Sequence, residues 1–164
     1  MTSISVAAAA AVHRLVERHE TFATAESLTG GLVAATVVEI PGVSAVYRGG
    51  FVVYATALKH TLAGVPQSLL DDRGPVDPDV AVALARGARE RCEADWGVAT
   101  TGVAGPEPQD GKPVGLVYVA VAGAAGTEVR ELRLDGNREA IRTESVTSAL
   151  LLLSDCIQNA PAVV

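Results

Sequence analysis

Residues 114–122 read Val-Gly-Leu-Val-Tyr-Val-Ala-Val-Ala, nearly unbroken apolar sequence. The run has the length of one strand and is far too short to cross a membrane. A strand that is apolar on both sides has to be covered on both faces, which places it inside a sheet flanked by two other layers. The rest of the chain supplies those layers. Residues 3–19 place Ile4, Ala8, Ala11, Val12, Leu15 and Val16 on one side of a helix. Further helical spacing covers 30–40, a short piece over 56–63, one turn at 67–72, then 78–93 and 137–157. Asp77 is a cap for the 78–93 helix, with Pro78 at its first position. Strand-like stretches cover 21–26, 51–55, 96–101 and 127–134, the last alternating polar and apolar as an edge strand does. The order is α-β-α-β-α-α-β-β-β-α, and the last two strands meet across a 123–126 turn. The expected fold class is therefore α/β, a three-layer α/β/α sandwich with a mixed sheet of about five strands, as one domain over 1–164. Residues after Asn159 are expected to fray.

Composition removes several classes of function. The chain has 164 residues, 49% of them hydrophobic but few aromatic, so its core must be built from Ala, Val and Leu. A net charge of −6 and a pI near 5.0 argue against a nucleic-acid partner. No stretch predicts a membrane partner, and the first residues lack the basic start of an export signal, so the expected location is cytoplasmic. Cys92 and Cys156 lie far apart and read as buried free thiols. His13, His19 and His60 have no ligand spacing, so neither metal nor other cofactor is expected.

Chemistry concentrates where strands end. Ala25-Glu26-Ser27-Leu28-Thr29-Gly30-Gly31 joins a strand to a helix. A hydroxyl at such a junction projects past the sheet beside free helix N–H groups. That suits a nucleophile and its oxyanion, a bound phosphate, or a plain helix cap with packing glycines. Tyr54 ends the next strand and Lys59 falls in the first turn of the helix that Thr56 would cap. A lysine there faces the positive end of the helix dipole, and partial burial lowers its pKa further, unless it merely reaches out to water. Thr100-Thr101-Gly102-Val103-Ala104-Gly105-Pro106 leaves a third strand, and Gly102 lets backbone approach a ligand closely. Ligands in open α/β sheets bind beyond the carboxyl ends of strands, so Ser27, Tyr54 and Thr101 could converge. Arg138 and Arg142 lie one turn apart near a helix N-terminus, where cations are badly placed unless an anion or a neighbouring glutamate joins them.

Together these blocks resemble the CinA C-terminal domain family, whose members include nicotinamide mononucleotide amidohydrolases. The residues that carry the resemblance are the Ala25–Gly31 block and Gly50-Phe51-Val52-Val53-Tyr54 through Lys59. Thr101-Gly102-Val103-Ala104-Gly105-Pro106 and Lys112-Pro113-Val114-Gly115 complete it. The resemblance implies a Ser–Lys hydrolase with Ser27 as nucleophile and Lys59 as general base. Tyr54, Thr101 and either Arg142 or Arg138 match further polar residues of the family's site. Thr29, Gly30 and Gly31 would serve either the oxyanion or a substrate phosphate. Two departures stand out: Leu28 replaces the usual Cys, and Ala55-Thr56 replaces Ser-Asn after the tyrosine. Longer members also carry a pyrophosphatase-like domain, whose activity is not carried over. The implied reaction is hydrolysis of nicotinamide mononucleotide, a small-molecule partner, to nicotinate mononucleotide and ammonia, within a protein that self-associates. The competing classes are a non-catalytic nucleotide-binding or regulatory module and a structural subunit of a larger complex.

Overall fold

A computed structural model describes residues 2–162. Its elements are α1 (Ser3–Arg18), β1 (Phe22–Glu26), α2 (Leu32–Val37), a 3-10 turn (Val43–Ala45), β2 (Tyr47–Val52), α3 (Thr56–Thr61), α4 (Gln67–Arg73), α5 (Pro78–Arg91), β3 (Trp96–Gly102), β4 (Leu116–Gly123), β5 (Gly126–Arg133) and α6 (Arg138–Asn159). The strands form one five-stranded sheet in the order β2-β1-β3-β4-β5. β1 runs parallel to both β2 and β3, and the β3-β4 and β4-β5 pairs are antiparallel. The sheet is mixed and carries helices on both faces, as the apolar run at 114–122 required.

Each face has its own core. On one side α1, α2 and α6 bury Leu15, Val33, Ile141, Leu150 and Leu153 against Phe22, Val98 and Val119. On the other, α5 buries Val80, Leu84 and Ala88 against Ala23, Ala99 and Ala120. Each fully buried Leu or Val contributes on the order of 1.5–3 kcal/mol. Alternate residues of β4 serve opposite cores: Val117, Val119 and Val121 face one, Leu116, Tyr118, Ala120 and Ala122 the other.

Three local expectations need correction. β2 begins at Tyr47 rather than at 51, so Gly49-Gly50 lie within the strand. A side chain at Gly50 would collide with the hydroxyl and carbonyl of Thr24 on β1, so the glycine permits close strand pairing. α2 is six residues long, because Gly30 and Gly31 both hold positive φ and keep the preceding turn out of the helix. Thr56 is the first residue of α3 rather than its cap; Ala55 holds the cap position with no side-chain bond. Asp77 does cap α5, accepting from the N–H groups of Asp79 and Val80. Beyond Asn159 the Pro161 carbonyl accepts from Arg18 at 2.8 Å. Val163 and Val164 lie outside the described residues. Cys92 and Cys156 are half-buried free thiols rather than fully buried ones.

The topology fixes where a ligand can enter. From β1 the chain passes through α2 to β2 on one side of it, then through α5 to β3 on the other. Strand order therefore reverses at β1, and a crevice opens between the carboxyl ends of β1 and β3. In that register Glu26 stands opposite both Val52 and Thr100. The residues that follow these three positions meet at one end of the sheet.

Candidate active site

Ser27 is the first residue past β1. Its N–H donates to the Thr100 carbonyl at 3.0 Å, which extends the sheet by one bond and fixes the backbone from which the hydroxyl projects. Next door, the Val53 N–H donates to the Glu26 carbonyl at 2.8 Å, holding the exit of β2 against the same point. Lys59 reaches back from α3 beneath this junction. Its Nζ lies 2.9 Å from Ser27 Oγ, 2.7 Å from the Val53 carbonyl oxygen and 3.3 Å from that of Tyr54. Lys59 is 1% exposed and Ser27 8%.

Burial of Lys59 pushes its pKa down from 10.5 to about 8. Desolvation by burial, not the helix dipole expected from the sequence, is the cause, and α3 is only six residues long. The contacts explain what the neutral form can do. A neutral amine has two N–H donors and one lone pair. The two backbone carbonyls accept both donors, and the lone pair then faces Ser27 Oγ. That is the arrangement a general base needs for a serine hydroxyl.

Glu26, which sequence reasoning passed over, explains the shape of the turn. Its carboxylate is 1% exposed and accepts from the N–H groups of Val33 at 2.8 Å and Ala34 at 3.1 Å. It also accepts from the Thr29 hydroxyl at 2.6 Å, and Thr29 shares a 2.8 Å bond with the Thr100 hydroxyl. The N-terminus of α2 is thus capped by a residue of the preceding strand. The finding revises the roles open to Thr29, Gly30 and Gly31. The helix N–H groups that would have met an oxyanion or a phosphate already hold Glu26, and the Thr29 side chain is fully buried. Gly30 donates its N–H to the Ser27 carbonyl at 3.0 Å, closing the turn. Among the described residues, the N–H groups of Leu28 and Thr29 meet no acceptor. Of the two residues Leu28 lines the cavity and Thr29 does not, so the Leu28 N–H is the candidate donor for a developing negative charge.

A cavity of about 260 Å³ opens above Ser27 and Lys59. One wall is Pro75 and Val76, the other is the loop after β3 from Gly102 to Gln109, and Tyr54 and Arg138 stand at the rim. Gly102 lines the cavity, and a Cβ there would lie 2.7 Å from the Leu116 carbonyl. Thr101 also lines it, with its hydroxyl donating to the Pro75 carbonyl at 2.6 Å, so it ties β3 to the segment before α5. Tyr54 is 58% exposed, and its hydroxyl accepts from Arg138 at 3.0 Å. Arg138 also donates to the Gly105 carbonyl at 2.6 Å.

The two arginines of α6, which sequence spacing could not tell apart, have different positions. Arg138 borders the cavity. Arg142 does not: its Nε donates to the Leu28 carbonyl and its Nη2 to the Thr29 carbonyl, both at 2.9 Å. The structure thus brings Ser27, Lys59, Tyr54, Thr101, Gly102 and Arg138 to one cavity. It sets Thr29, Gly30, Gly31 and Arg142 behind it. Among the described residues no three His, Cys, Asp or Glu side chains converge as metal ligands, and no helix is long and apolar enough to cross a membrane.

Comparison with known proteins sharpens the picture. Residues 5–157 match the family model of the CinA C-terminal domain. A CinA-like protein of Frankia casuarinae is 48% identical over 147 residues, which are 90% of this chain and 34% of the relative. A CinA-like protein of Geobacter sulfurreducens is 48% identical over 142 residues, 85% of this chain and 34% of the relative. The chain thus spans about a third of the length of these curated relatives. The crystal structure of the competence/damage inducible protein CihA from Agrobacterium tumefaciens superposes with a TM-score of 0.91 at 36% identity, covering 97% of this chain and 98% of that one. A CinA superfamily protein from Escherichia coli superposes with a TM-score of 0.88 at 32% identity, covering 92% of this chain and 89% of that one.

Proposed function

Because the chain belongs to the CinA C-terminal domain family, we propose that the cavity above Ser27 is the active site of an amidase acting on nicotinamide mononucleotide. One observation carries the reading. A fully buried lysine, its two neutral-form donors matched by the Val53 and Tyr54 carbonyls, presents its remaining position to Ser27 Oγ at 2.9 Å. A non-catalytic module has no use for a cation held dry against a serine, because desolvating it costs stability.

The reaction runs in two balanced steps. Ser27 Oγ bonds to the carboxamide carbon while its proton passes to Lys59 Nζ. The carbonyl electron pair collapses onto oxygen, where the Leu28 N–H group receives it. The pair then returns, the C–N bond breaks, and Lys59 gives the proton to the departing ammonia. Water enters, Lys59 takes one of its protons, and hydroxide adds to the acyl carbon. The Ser27 Oγ–carbon bond breaks as the proton returns to Ser27, leaving nicotinate mononucleotide. Arg138 at the rim, held by the Gly105 carbonyl at 2.6 Å, is the cation for the substrate phosphate. No metal or cofactor enters this scheme.

Ammonia release from a panel of pyridine amides, ribosides and nucleotides tests the reading. Nicotinamide mononucleotide should be the preferred substrate and Ser27→Ala should stop its turnover. A purified protein that binds the nucleotide and releases no ammonia would leave the non-catalytic module in its place.

A further inference from the structure

The Thr101 hydroxyl is a polar group of the cavity to which the reaction above gives no part. Glu26 stands opposite Thr100 in the parallel β1-β3 ladder, and the Ser27 N–H continues that ladder to the Thr100 carbonyl. The next pair in register is therefore Ser27 and Thr101, on strands about 4.8 Å apart. Two residues earlier on the same rows, Ala25 and Ala99 both face the α5 core. The Ser27 and Thr101 side chains therefore share that face. β2 lies on the other side of β1, and the carbonyls that follow it, those of Val53 and Tyr54, hold Lys59 there. Ser27 thus has Lys59 on one flank and Thr101 on the other. Of the polar side chains that line the cavity, the buried ones are Ser27, Lys59 and Thr101.

The direction of its hydrogen bond decides what Thr101 can offer. A threonine hydroxyl has one O–H donor and two lone pairs. The Pro75 carbonyl can only accept, so at 2.6 Å the O–H is spent there. Among the described residues no group donates to the oxygen in return. Toward the cavity Thr101 is therefore an acceptor only, and at 1% exposure it is a dry one. A hydroxyl that donates is also the better acceptor, since bonded groups polarise one another. A carboxamide carries two N–H donors, whereas an ester or ketone carries none at the same position. We infer that Thr101 Oγ1 accepts an N–H of the substrate carboxamide, which makes Thr101 the residue that selects a primary amide and orients its nitrogen. The inference rests on the reading of the cavity as a nicotinamide mononucleotide site. The placement also serves the chemistry. With the amide oxygen on the Leu28 N–H and one N–H on Thr101, the nitrogen lone pair of the tetrahedral intermediate is left to face the protonated Lys59 across Ser27.

The test measures Kd by calorimetry in the full chain carrying Ser27→Ala, where the amide is bound without turnover. The two ligands are nicotinamide mononucleotide and its 3-acetylpyridine analogue, in which a methyl group replaces NH2 and the carbonyl stays. This parent should prefer the amide about three- to tenfold, the worth of one hydrogen bond. Adding Thr101→Val keeps the shape and removes the hydroxyl. It should abolish the preference by weakening the amide alone, with the ketone bound within about twofold of the parent. Thr101→Ser should restore the preference. Thr101→Cys, whose sulfur is a weak acceptor, carries the test if the valine variant does not fold. A parent without the preference, or a valine variant that keeps it, would overturn the inference. So would an equal loss on both ligands, which marks Thr101 as a strap on Pro75 alone. Binding of neither nucleotide would overturn it together with the substrate reading. A Thr101-dependent preference in a protein that releases no ammonia supports the inference and sinks only the amidase.

Discussion

The turn after β1 and the loop after β3 leave neighbouring strands at the same end of the sheet and border the same cavity. The first, five residues from Ser27 to Gly31, is gripped on every side. Glu26 and Thr100 hold it from the strands, Arg142 from α6, and Lys59 from beneath. The second, from Val103 to Gly115, rests on a bridge between Gln109 and Lys112, the Gly115–Val103 bond and the Arg138 contact at Gly105. All of its residues from Pro106 to Gly111 are exposed. The contrast separates two tasks. Bond making needs reacting atoms fixed to a fraction of an ångström, and buried hydrogen bonds supply that. Recognition tolerates a wall that adapts, and loops over a rigid scaffold supply that. The tight turn should therefore govern kcat and the open loop KM.

The largest break in that contrast comes from the reacting pair. Ser27→Ala and Lys59→Met should each lower kcat by about 10⁴-fold or more, and the double variant should be little worse than either. Steady-state ammonia release on the three proteins checks this. Additive losses would mean that serine and lysine work in separate steps.

A pH series should follow in size. Lys59 has to be neutral to accept the proton, and burial sets its pKa near 8. Activity should rise about tenfold per pH unit below that value, roughly a hundredfold from pH 6 to pH 8, and then level. The same shift has a cost in stability. Between pH 8 and 10.5 the unfolded chain binds a proton that the folded chain does not, so stability rises with pH across that window. Below pH 8 the buried cation costs about 3 kcal/mol relative to a lysine left in water. Lys59→Met removes the charge, so it should unfold at a higher temperature than wild type at pH 7 and lose that advantage by pH 10. Calorimetry at the two pH values measures the difference. A variant less stable than wild type at both would mean that the three hydrogen bonds outweigh desolvation.

Arg138 tests the other side of the cavity. Removing one charge-assisted phosphate contact costs on the order of 1.5–3 kcal/mol, so Arg138→Met should lower kcat/KM for the nucleotide roughly ten- to a hundredfold. The riboside has no phosphate and should be turned over as by wild type. An equal loss on both substrates would show that Arg138 acts by holding Gly105 and the loop.

What the sequence disclosed follows the same division. The convergence of Ser27, Tyr54 and Thr101 was legible because each lies at or near a strand end, and parallel strands bring their carboxyl ends together. The mixed sheet was legible from the hairpin after the apolar run. The choice between Arg138 and Arg142 was not. Both lie on one face of α6, about 6 Å apart along its axis, and only the way α6 packs, with Ile141 in the core, decides which reaches the cavity. Glu26 was opaque for a related reason. Its bonds to residues seven and eight positions ahead exist only once Gly30 and Gly31 have folded the chain back. The start of β2 was hidden because Gly49-Gly50 has the composition of a turn, while the demand for glycine came from Thr24 on the neighbouring strand.

Tyr54 belongs to both regions and gives the finest test of the division. Its backbone carbonyl accepts from Lys59, inside the fixed half, while its hydroxyl accepts from Arg138, at the rim of the adaptable half. Tyr54→Phe leaves the carbonyl in place and removes only the second bond. The side chain is more than half exposed, so the loss should fall near the lower end of hydrogen-bond values, about 0.5–1 kcal/mol. That predicts a rise of roughly two- to fivefold in KM for the nucleotide through a less well-held Arg138, with kcat unchanged and the riboside unaffected. The pH profile should keep its midpoint near 8, because the groups around Lys59 stay as they are. A fall in kcat on both substrates, or a displaced midpoint, would place the phenol among the groups that move protons. The boundary between the two regions would then run through the side chain of Tyr54 rather than between its hydroxyl and its backbone.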